Sequence, residues 1–340
     1  MIFTDPPFMP PFPRPPGVPS HIPDLAAVFR AEILAARLEG ALRADIALAA
    51  LWRGQAAVQE ACASAWLEDL PVTPVELLSR SFRGTLGDPD RDRSALTAAS
   101  FLRGLHSPGA LDTDTGPALS RLWSLSSGEG PSPFSAGDHE KIRAALREAR
   151  SPLLGALTVA LIVNASCNGR APSIERLAFV GADHALRGSG RFMLGEVEPH
   201  GMIAAPRGAW VMQPALALVD NGFRLWSITR PDRVENLIAG IEHTLDRGLG
   251  ALPMLRRWLI RARTLSSEAH GASRLPDLID LLMRRPIVTT GEVAKHLKVT
   301  PRGAQKLIDR SEELDLIAKI TPRSTYRAWA VIPFARMLRR

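Results

Sequence analysis

This 340-residue chain has few cysteines and lacks the signature sequences of several enzyme classes. Of its two cysteines, Cys62 lies between two alanines and Cys167 closely follows the apolar run that ends at Val163. Two thiols are too few for a disulfide framework or a cysteine-rich metal site, so we expect both to be buried as small hydrophobic side chains. The chain also contains no GxSxG, GxGxxG, Walker A or HExxH sequence. We therefore expect no catalytic residues, no metal site and no cofactor, and a protein that is not an enzyme.

Long apolar runs are missing as well. The longest, Leu153 to Val163, has the length of a buried helix rather than of a membrane span. The N-terminus has no basic segment followed by an apolar run, so it does not resemble a signal peptide. Residues 1–23 instead contain nine prolines, which indicate an extended, proline-rich leader. These features predict a cytoplasmic protein with no membrane partner.

Lysine is rare, and positive charge is unevenly distributed. Residues 272–340 contain four of the five lysines, with 14 basic and 7 acidic side chains in total, and they account for the whole net charge of +7. A neutral body with a basic end indicates a polyanionic partner at that end. A basic tail that only increases solubility would have the same charge, so charge alone does not decide between the two.

Apolar residues recur at intervals of three and four between residues 24 and 265, which predicts a multi-helical domain. The predicted helices cover residues 24–52, 56–70, 75–81, 94–105, 138–150, 152–163, 173–183, 233–247 and 252–265. Residues 188–225 show no clear pattern, and polar residues 266–273 predict a linker. The expected fold class is mainly α: a multi-helical N-terminal domain over residues 24–265, of open function, and a small C-terminal module over residues 274–333.

The C-terminal module has the pattern of a winged helix-turn-helix. Thr289 precedes Glu292 by three residues, the spacing of a capping box, and this predicts a first helix over residues 291–297. Thr300 is suited to cap a second helix over residues 301–310, and a proline follows it at the first helical position. Two helices separated by so short a turn predict a helix-turn-helix.

The second helix of this module has an outward face suited to DNA. Its first two turns contain no acidic residue, and Arg, Gln and Lys are the side chains that pair with guanine, adenine and phosphate. Two extended runs, residues 314–320 and 326–331, then predict a small two-stranded β-wing with alternating apolar and polar positions. The predicted DNA-binding residues are Thr300, Arg302, Gln305, Lys306 and Arg310, with Lys319, Arg323 and Arg327 in the wing.

The order VTTGEVAKHLKVTPRGAQKLIDRSEELDLIAKIT…YRAWAV resembles winged helix-turn-helix domains of bacterial regulators, including the C-terminal domain of Fic-type proteins. It is more similar still to an alpha-proteobacterial, rhizobial-type family of unknown function, in which a helical domain precedes a helix-turn-helix DNA-binding domain. This resemblance covers most of the chain and is clearest in the final 65 residues. It implies DNA binding and carries no other known activity.

The Fic resemblance raises the question of an enzyme. Fic enzymes use a His-Pro-Phe…Gly-Asn-Gly-Arg loop, in which the histidine acts as a base and the loop binds phosphates. The Asn-Gly-Arg sequence here is 168–170, with Ile162 at the histidine position and Cys167 at that of the preceding glycine. Glu39 and Gly40 resemble the end of the Fic inhibitory helix, but Ala35 replaces its serine. Two alternatives stay open: a diverged Fic-type nucleotide-dependent enzyme, and a protein-interaction adaptor.

Together these features predict a transcriptional regulator that binds double-stranded DNA sequence-specifically. We expect a homodimer, because paired half-sites favour twofold symmetry. The helical domain is expected to supply dimerisation or to sense a small-molecule or protein effector that the sequence does not identify.

Overall fold

The computed structural model describes residues 24–126, 130–192, 209–222, 225–271, 273–321 and 327–338, and the statements below refer to these residues. The predicted leader, residues 1–23, lies outside them. The fold is mainly α, as predicted: the described chain forms 14 α-helices and one three-stranded sheet. None of these helices combines the length and the apolar character that a membrane span requires.

Ten helices precede the C-terminal module and form the body of the protein. They are α1 Leu25–Arg43, α2 Ile46–Trp66, α3 Pro74–Arg83, α4 Pro89–His106, α5 Thr115–Leu125, α6 Ala136–Glu148, α7 Pro152–Ser166, α8 Pro172–Gly188, α9 Pro214–Asp220 and α10 Pro231–Ser267. Six of the ten begin at a proline, whose φ angle suits the first helical turn and whose missing N–H has no helical partner there. Local sequence therefore determines where most of these helices start.

The predicted boundary between the first two helices is wrong. We predicted one helix over residues 24–52, but α1 ends at Arg43 and α2 begins at Ile46. The carboxylate of Asp45 accepts hydrogen bonds from the amides of Ala47 and Leu48 at 3.0 and 3.2 Å, which starts a new helix. Apolar spacing continues through this break, so periodicity alone did not locate it.

The predicted division of α10 is also wrong. We expected helices over residues 233–247 and 252–265 followed by a linker, but α10 is one helix of 37 residues with Pro253 in its interior. An interior proline removes a backbone hydrogen bond. Leu252 and Leu255 beside it are both buried, and their packing holds the helix together at this point. As a result α10 extends from the body to the C-terminal module.

The C-terminal module contains four helices and the sheet. Its elements are α11 Leu275–Arg284, β1 Ile287–Thr289, α12 Thr290–Leu297, α13 Pro301–Glu313, β2 Ile317–Lys319, β3 Ala328–Val331 and α14 Ile332–Leu338. The strand order is β1-β3-β2 with antiparallel pairing, so the predicted two-stranded wing gains β1 as a third strand. We predicted that apolar and polar positions alternate along the wing strands, with one face exposed. In β3 this prediction is wrong, because all four of its residues are buried. As the central strand, β3 has neighbours on both edges, and it also packs against α14, which we did not predict.

The body and the module share a continuous hydrophobic core. Helix α10 packs against α1, α2 and α9, and then against α11 and α14 of the module. At this junction the indole Nε1 of Trp258 donates a 2.7 Å hydrogen bond to the carbonyl oxygen of Leu316. The position of the helix-turn-helix relative to the body is therefore set by packing and by a buried hydrogen bond.

Candidate DNA-binding interface

Helices α12 and α13 form the predicted helix-turn-helix. The Thr289 hydroxyl accepts from the Glu292 amide at 3.3 Å, and the Glu292 carboxylate accepts from the Thr289 amide at 2.9 Å, so the predicted capping box is present. Helix α12 ends at Leu297 and is followed by Lys298, which has a left-handed φ of 54°. Two residues later the Thr300 hydroxyl accepts from the Gly303 amide at 3.2 Å and caps α13. Side-chain caps on both helices thus confine the turn to a few residues.

Helix α13 has a buried face and an exposed face. Ala304 and Ile308 are completely buried against the rest of the module. Arg302 and Lys306 are exposed in the first two turns, and neither forms a hydrogen bond or ion pair with any residue in the described ranges. Both cations therefore remain available to a partner outside the chain.

Gln305 occupies a different environment from the other predicted contact residues. Its Oε1 accepts a hydrogen bond from the Thr290 hydroxyl at 3.0 Å, and its Nε2 donates to Asp309 at 2.7 Å. The side-chain amide thus links the first turn of α12 to the third turn of α13. Gln305 therefore stabilises the packing of the two helices. To contact an adenine, its side chain would have to give up one of these hydrogen bonds.

Arg310 lies on the exposed side of α13, but it is not free. Its Nη1 atom forms a 2.9 Å ion pair with Glu313, one turn further on, and both side chains are more than 60% exposed. Exposed pairs of this kind are weak, so a phosphate could compete with Glu313. Arg310 is therefore a weaker candidate than Arg302 or Lys306.

The described part of the wing brings two predicted residues together. Lys319 ends β2, and Arg327 directly precedes β3. Beyond the paired strands, the Ile320 amide donates to the Ala328 carbonyl at 2.9 Å, and the Ala328 amide donates to the Thr321 hydroxyl at 3.1 Å. Lys319 and Arg327 thus lie at the same end of this ladder. Arg323, the third predicted wing residue, lies outside the described residues.

Two further cations belong to this surface, and we did not select them from the sequence. Lys295 is exposed on α12, and Lys298 is exposed in the turn that leads to α13. In helix-turn-helix proteins the second helix enters the major groove with its N-terminal residues towards the bases, so a lysine in the preceding turn is well placed for phosphate. The signal that identifies them was already present, since four of the five lysines cluster here.

The Asn168-Gly169-Arg170 sequence forms the turn between α7 and α8. Asn168 and Gly169 have positive φ angles of 51° and 67°, and the Gly169 amide donates to the Asn164 carbonyl at 2.9 Å. Ile162, at the position of the Fic histidine, is a partly buried residue of α7. Its side chain cannot act as a base.

Comparison with known proteins supports the helix-turn-helix. Residues 275–332 match the family described as "HTH DNA binding domain". A segment of 87 residues is 43% identical to Uncharacterized protein y4cF of Sinorhizobium fredii, and it covers 26% of this chain and 20% of that protein. The similarity thus spans about a fifth of that relative's length. The chain therefore has a C-terminal helix-turn-helix DNA-binding domain at residues 275–332 and is similar in part to an uncharacterized rhizobial protein.

Proposed function

We propose that this protein is a transcriptional regulator that recognises a specific double-stranded DNA sequence through the exposed face of α13. The observation that carries the proposal is that the matched helix-turn-helix domain includes a helix whose first two turns present Arg302 and Lys306 exposed. A cation that pairs with no side chain in the described part of its chain can bind a phosphate or a base edge without first breaking a bond there.

The charge distribution supports a nucleic-acid partner. All of the net positive charge lies in residues 272–340, which contain the module. The first turn of α13 has no acidic side chain, so the positive end of the helix dipole is not neutralised there. Phosphate binding at such a surface releases counterions and makes the affinity fall steeply with salt.

Within this proposal the predicted residues have different roles. Arg302 contacts a base edge, and Lys306 contacts phosphate. Lys298, Lys319 and Arg327 contact the DNA backbone on either side of α13. Thr300 and Gln305 hold α13 in place, through the helix cap and through the bond to Thr290.

Binding selection from a pool of random duplexes, followed by titration in increasing salt, tests the proposal. We expect Arg302→Ala to lose about 1–3 kcal/mol of discrimination at one base pair. Lys306→Ala should weaken binding to all sequences equally and reduce the salt slope by about 1. Arg143→Ala, on α6 in the body, is the matched control. Unchanged selectivity in Arg302→Ala would show that α13 is not the recognition helix.

We also propose that the protein binds DNA as a homodimer, since helix-turn-helix proteins commonly place two recognition helices in successive major grooves. Sedimentation of the complex with the selected duplex measures the stoichiometry. Two chains per duplex and an inverted repeat about one helical turn apart are expected. One chain on a site without symmetry would contradict the dimer but not DNA binding.

The proposal does not include an enzymatic activity. The turn at residues 168–170 resembles the Fic loop, but Ile162 supplies no base there. Incubation with labelled ATP should therefore yield no AMP-modified product. Formation of such a product would favour the diverged Fic enzyme.

A protein-interaction adaptor would behave differently from a DNA-binding regulator. It predicts weak DNA affinity and little dependence on salt. The salt titration above therefore separates the two functions.

A further inference from the structure

A large cleft separates the helical body from the back of the C-terminal module. Its volume is about 1420 Å³, which is ample for a small organic ligand. Residues of α1, α2 and α4 line it on one side, and residues of α11, β1 and α14 line it on the other. The cleft is thus bounded both by the body and by the module that contains the recognition helix.

The lining combines apolar walls with an excess of cations. Leu42, Val58, Leu105, Met283 and Phe334 contribute apolar surface. The charged residues described in the lining are five arginines and two aspartates: Arg43, Arg53, Arg263, Arg284, Arg285, Asp45 and Asp280. Pockets with apolar walls and a few convergent polar groups are typical small-molecule sites.

Arg53 is a partly buried cation of the lining that receives little compensation from the described chain. Its guanidinium makes one long hydrogen bond there, from Nε to the Trp210 carbonyl at 3.5 Å. The nearby carboxylates of Glu39 and Asp183 are already bound to Arg187 at 3.1 and 2.7 Å. Arg53 thus faces the cleft without a close ion pair in the described chain.

The surroundings of Arg53 favour an anion. Burial, and then the charge of Arg43, lower the pKa of Arg53 to about 10, so the group is still cationic at neutral pH. Arg43 is already paired with Glu39 through Nη2 at 2.6 Å, but its buried Nη1 atom has no hydrogen-bond partner in the described structure. A buried charge that has lost water is unfavourable unless an opposite charge compensates it. An anionic group placed between these two guanidinium groups would compensate the charge of Arg53 and accept a hydrogen bond from Nη1 of Arg43.

We infer that this cleft binds an amphiphilic anion, a molecule with an apolar body and one carboxylate or sulfonate group. The anionic group binds Arg53 and Arg43, and the apolar part packs against α4 and the module. The body and module meet beside the cleft, since an added Cβ on Gly54 of α2 would lie 3.2 Å from the Pro286 ring. A ligand that enters between Gly54 and Pro286, or contacts both sides of the cleft, would change the orientation of the module relative to the body. This regulatory consequence rests on the proposed DNA binding, while the site itself does not.

Fluorescence titration of the full chain with 8-anilinonaphthalene-1-sulfonate, an aromatic sulfonate, tests the site. We expect saturable binding at one site, and a roughly tenfold weaker affinity in Arg53→Gln, as loss of a charge-assisted hydrogen bond of about 1.4 kcal/mol implies. Arg143→Gln is the matched control and should bind as the unmodified chain does. Equal affinity in Arg53→Gln and the unmodified chain, or no saturable binding, would overturn the site.

Displacement by a matched pair of aliphatic compounds tests the charge requirement without any substitution. Decanoate should displace the sulfonate probe, and decanol at the same concentration should not. Displacement by both alike would show an apolar site without anion preference and would overturn the proposal. Near-ultraviolet circular dichroism verifies that Arg53→Gln is folded. If it is not, the comparison of decanoate with decanol in the unmodified chain decides the charge requirement.

A DNA-binding assay with and without decanoate separates the ligand site from the proposed function. Probe binding without any DNA binding would contradict the regulator and leave the site in place. DNA binding without probe binding would contradict the site alone. A change in DNA affinity with decanoate in the unmodified chain, but not in Arg53→Gln, is the result expected if the site is regulatory.

Discussion

At the scale of single residues, the body depends on a buried cation, Arg187. Its side chain is 2% exposed and forms ion pairs with Glu32 and Glu39 of α1 at 3.1 Å and with Asp183 of α8 at 2.7 Å. Burial lowers the pKa of Arg187, but the charges of Asp183, Glu32 and Glu39 outweigh burial and raise it above its ordinary value. Arg187 and Asp183 both lie on α8, so the pairs with Glu32 and Glu39 are the ones that join α8 to α1, far apart in the chain.

Replacing Arg187 should therefore be much more harmful than replacing a surface arginine. Arg187→Met leaves the fully buried Asp183 without an ion pair in the described chain. We therefore expect a loss of about 3–5 kcal/mol in the free energy of unfolding, measured by urea denaturation. Arg143→Met, which breaks an exposed pair with Glu140, should change stability by no more than about 0.5 kcal/mol. Similar losses in the two variants would contradict the role of the buried ion pairs.

Glu60 gives stability a pH dependence. It is 1% exposed and accepts hydrogen bonds from the amides of Ala215 and Leu216 at 2.8 and 2.9 Å. Burial raises its pKa from 4.5 to about 7. Because the folded pKa is the higher one, the folded chain holds this proton more tightly. The resulting stabilisation is complete below about pH 4.5 and is lost as the pH rises through about 7.

The comparison with Glu60→Gln isolates this titration. Between pH 5 and pH 8, the unfolding free energy of the unmodified chain should fall relative to that of Glu60→Gln, by an amount on the order of 3 kcal/mol. Urea denaturation at a series of pH values measures the difference. A difference between the two proteins that does not vary with pH would contradict the raised pKa.

At the scale of elements, α10 needs a glycine where it crosses α9. A Cβ on Gly240 would lie 2.3 Å from the Ala217 carbonyl oxygen and 2.8 Å from its carbonyl carbon. Both are backbone atoms that cannot move aside easily. Ten residues further along the same helix, a Cβ on Gly250 would have no neighbour within 4 Å. The two glycines are thus alike in secondary structure and opposite in packing.

The two alanine substitutions should have opposite effects on thermal stability. Gly240→Ala forces α9 and α10 apart, and we expect a loss of about 1–3 kcal/mol. Gly250→Ala should gain roughly 0.5–1 kcal/mol, since alanine favours the helix over glycine. The midpoints of thermal unfolding by circular dichroism test both. Stabilisation by Gly240→Ala would show that α9 and α10 are not in such close contact.

At the scale of the whole molecule, α10 ties the body to the DNA-binding module. The Trp258 indole is 5% exposed, and its hydrogen bond reaches the chain just after α13. The Leu316 carbonyl oxygen also accepts from the Ile332 amide at 3.1 Å, so losing the indole removes one of its two hydrogen bonds together with the packing of the indole ring. A substitution that weakens this junction should therefore also destabilise the helix-turn-helix.

Trp258→Phe tests the junction. We expect a loss of about 0.5–1.5 kcal/mol for the hydrogen bond and faster hydrogen exchange of the amides in α12 and α13. Trp123→Phe is the control, because its indole bonds to the Gly130 carbonyl in an exposed part of the body. If the amides of α12 and α13 exchange equally slowly in both variants, the Trp258–Leu316 hydrogen bond does not stabilise the module.

Interactions between neighbours in the chain were open to prediction from the sequence. The mainly α class, the capping box at Thr289 and Glu292, the cap at Thr300 and the exposed positions Arg302 and Lys306 all depend on residues a few positions apart. Asp45 shows the limit of apolar periodicity, because a cap can interrupt a helix without interrupting its apolar stripe.

The sequence by itself determined that a basic helix-turn-helix follows a helical body, because caps, helical periodicity and net charge are properties of short segments. Only the tertiary structure shows which distant segments come together. Strand β1 pairs with β3, the Thr290 hydroxyl bonds to Gln305, and the Trp258 indole bonds to the Leu316 carbonyl. The tertiary structure also decided that Arg53 faces a cleft while the nearby carboxylates bind Arg187. Such contacts arise from packing over long chain separations, where many pairings fit the same local pattern and only the common core selects among them.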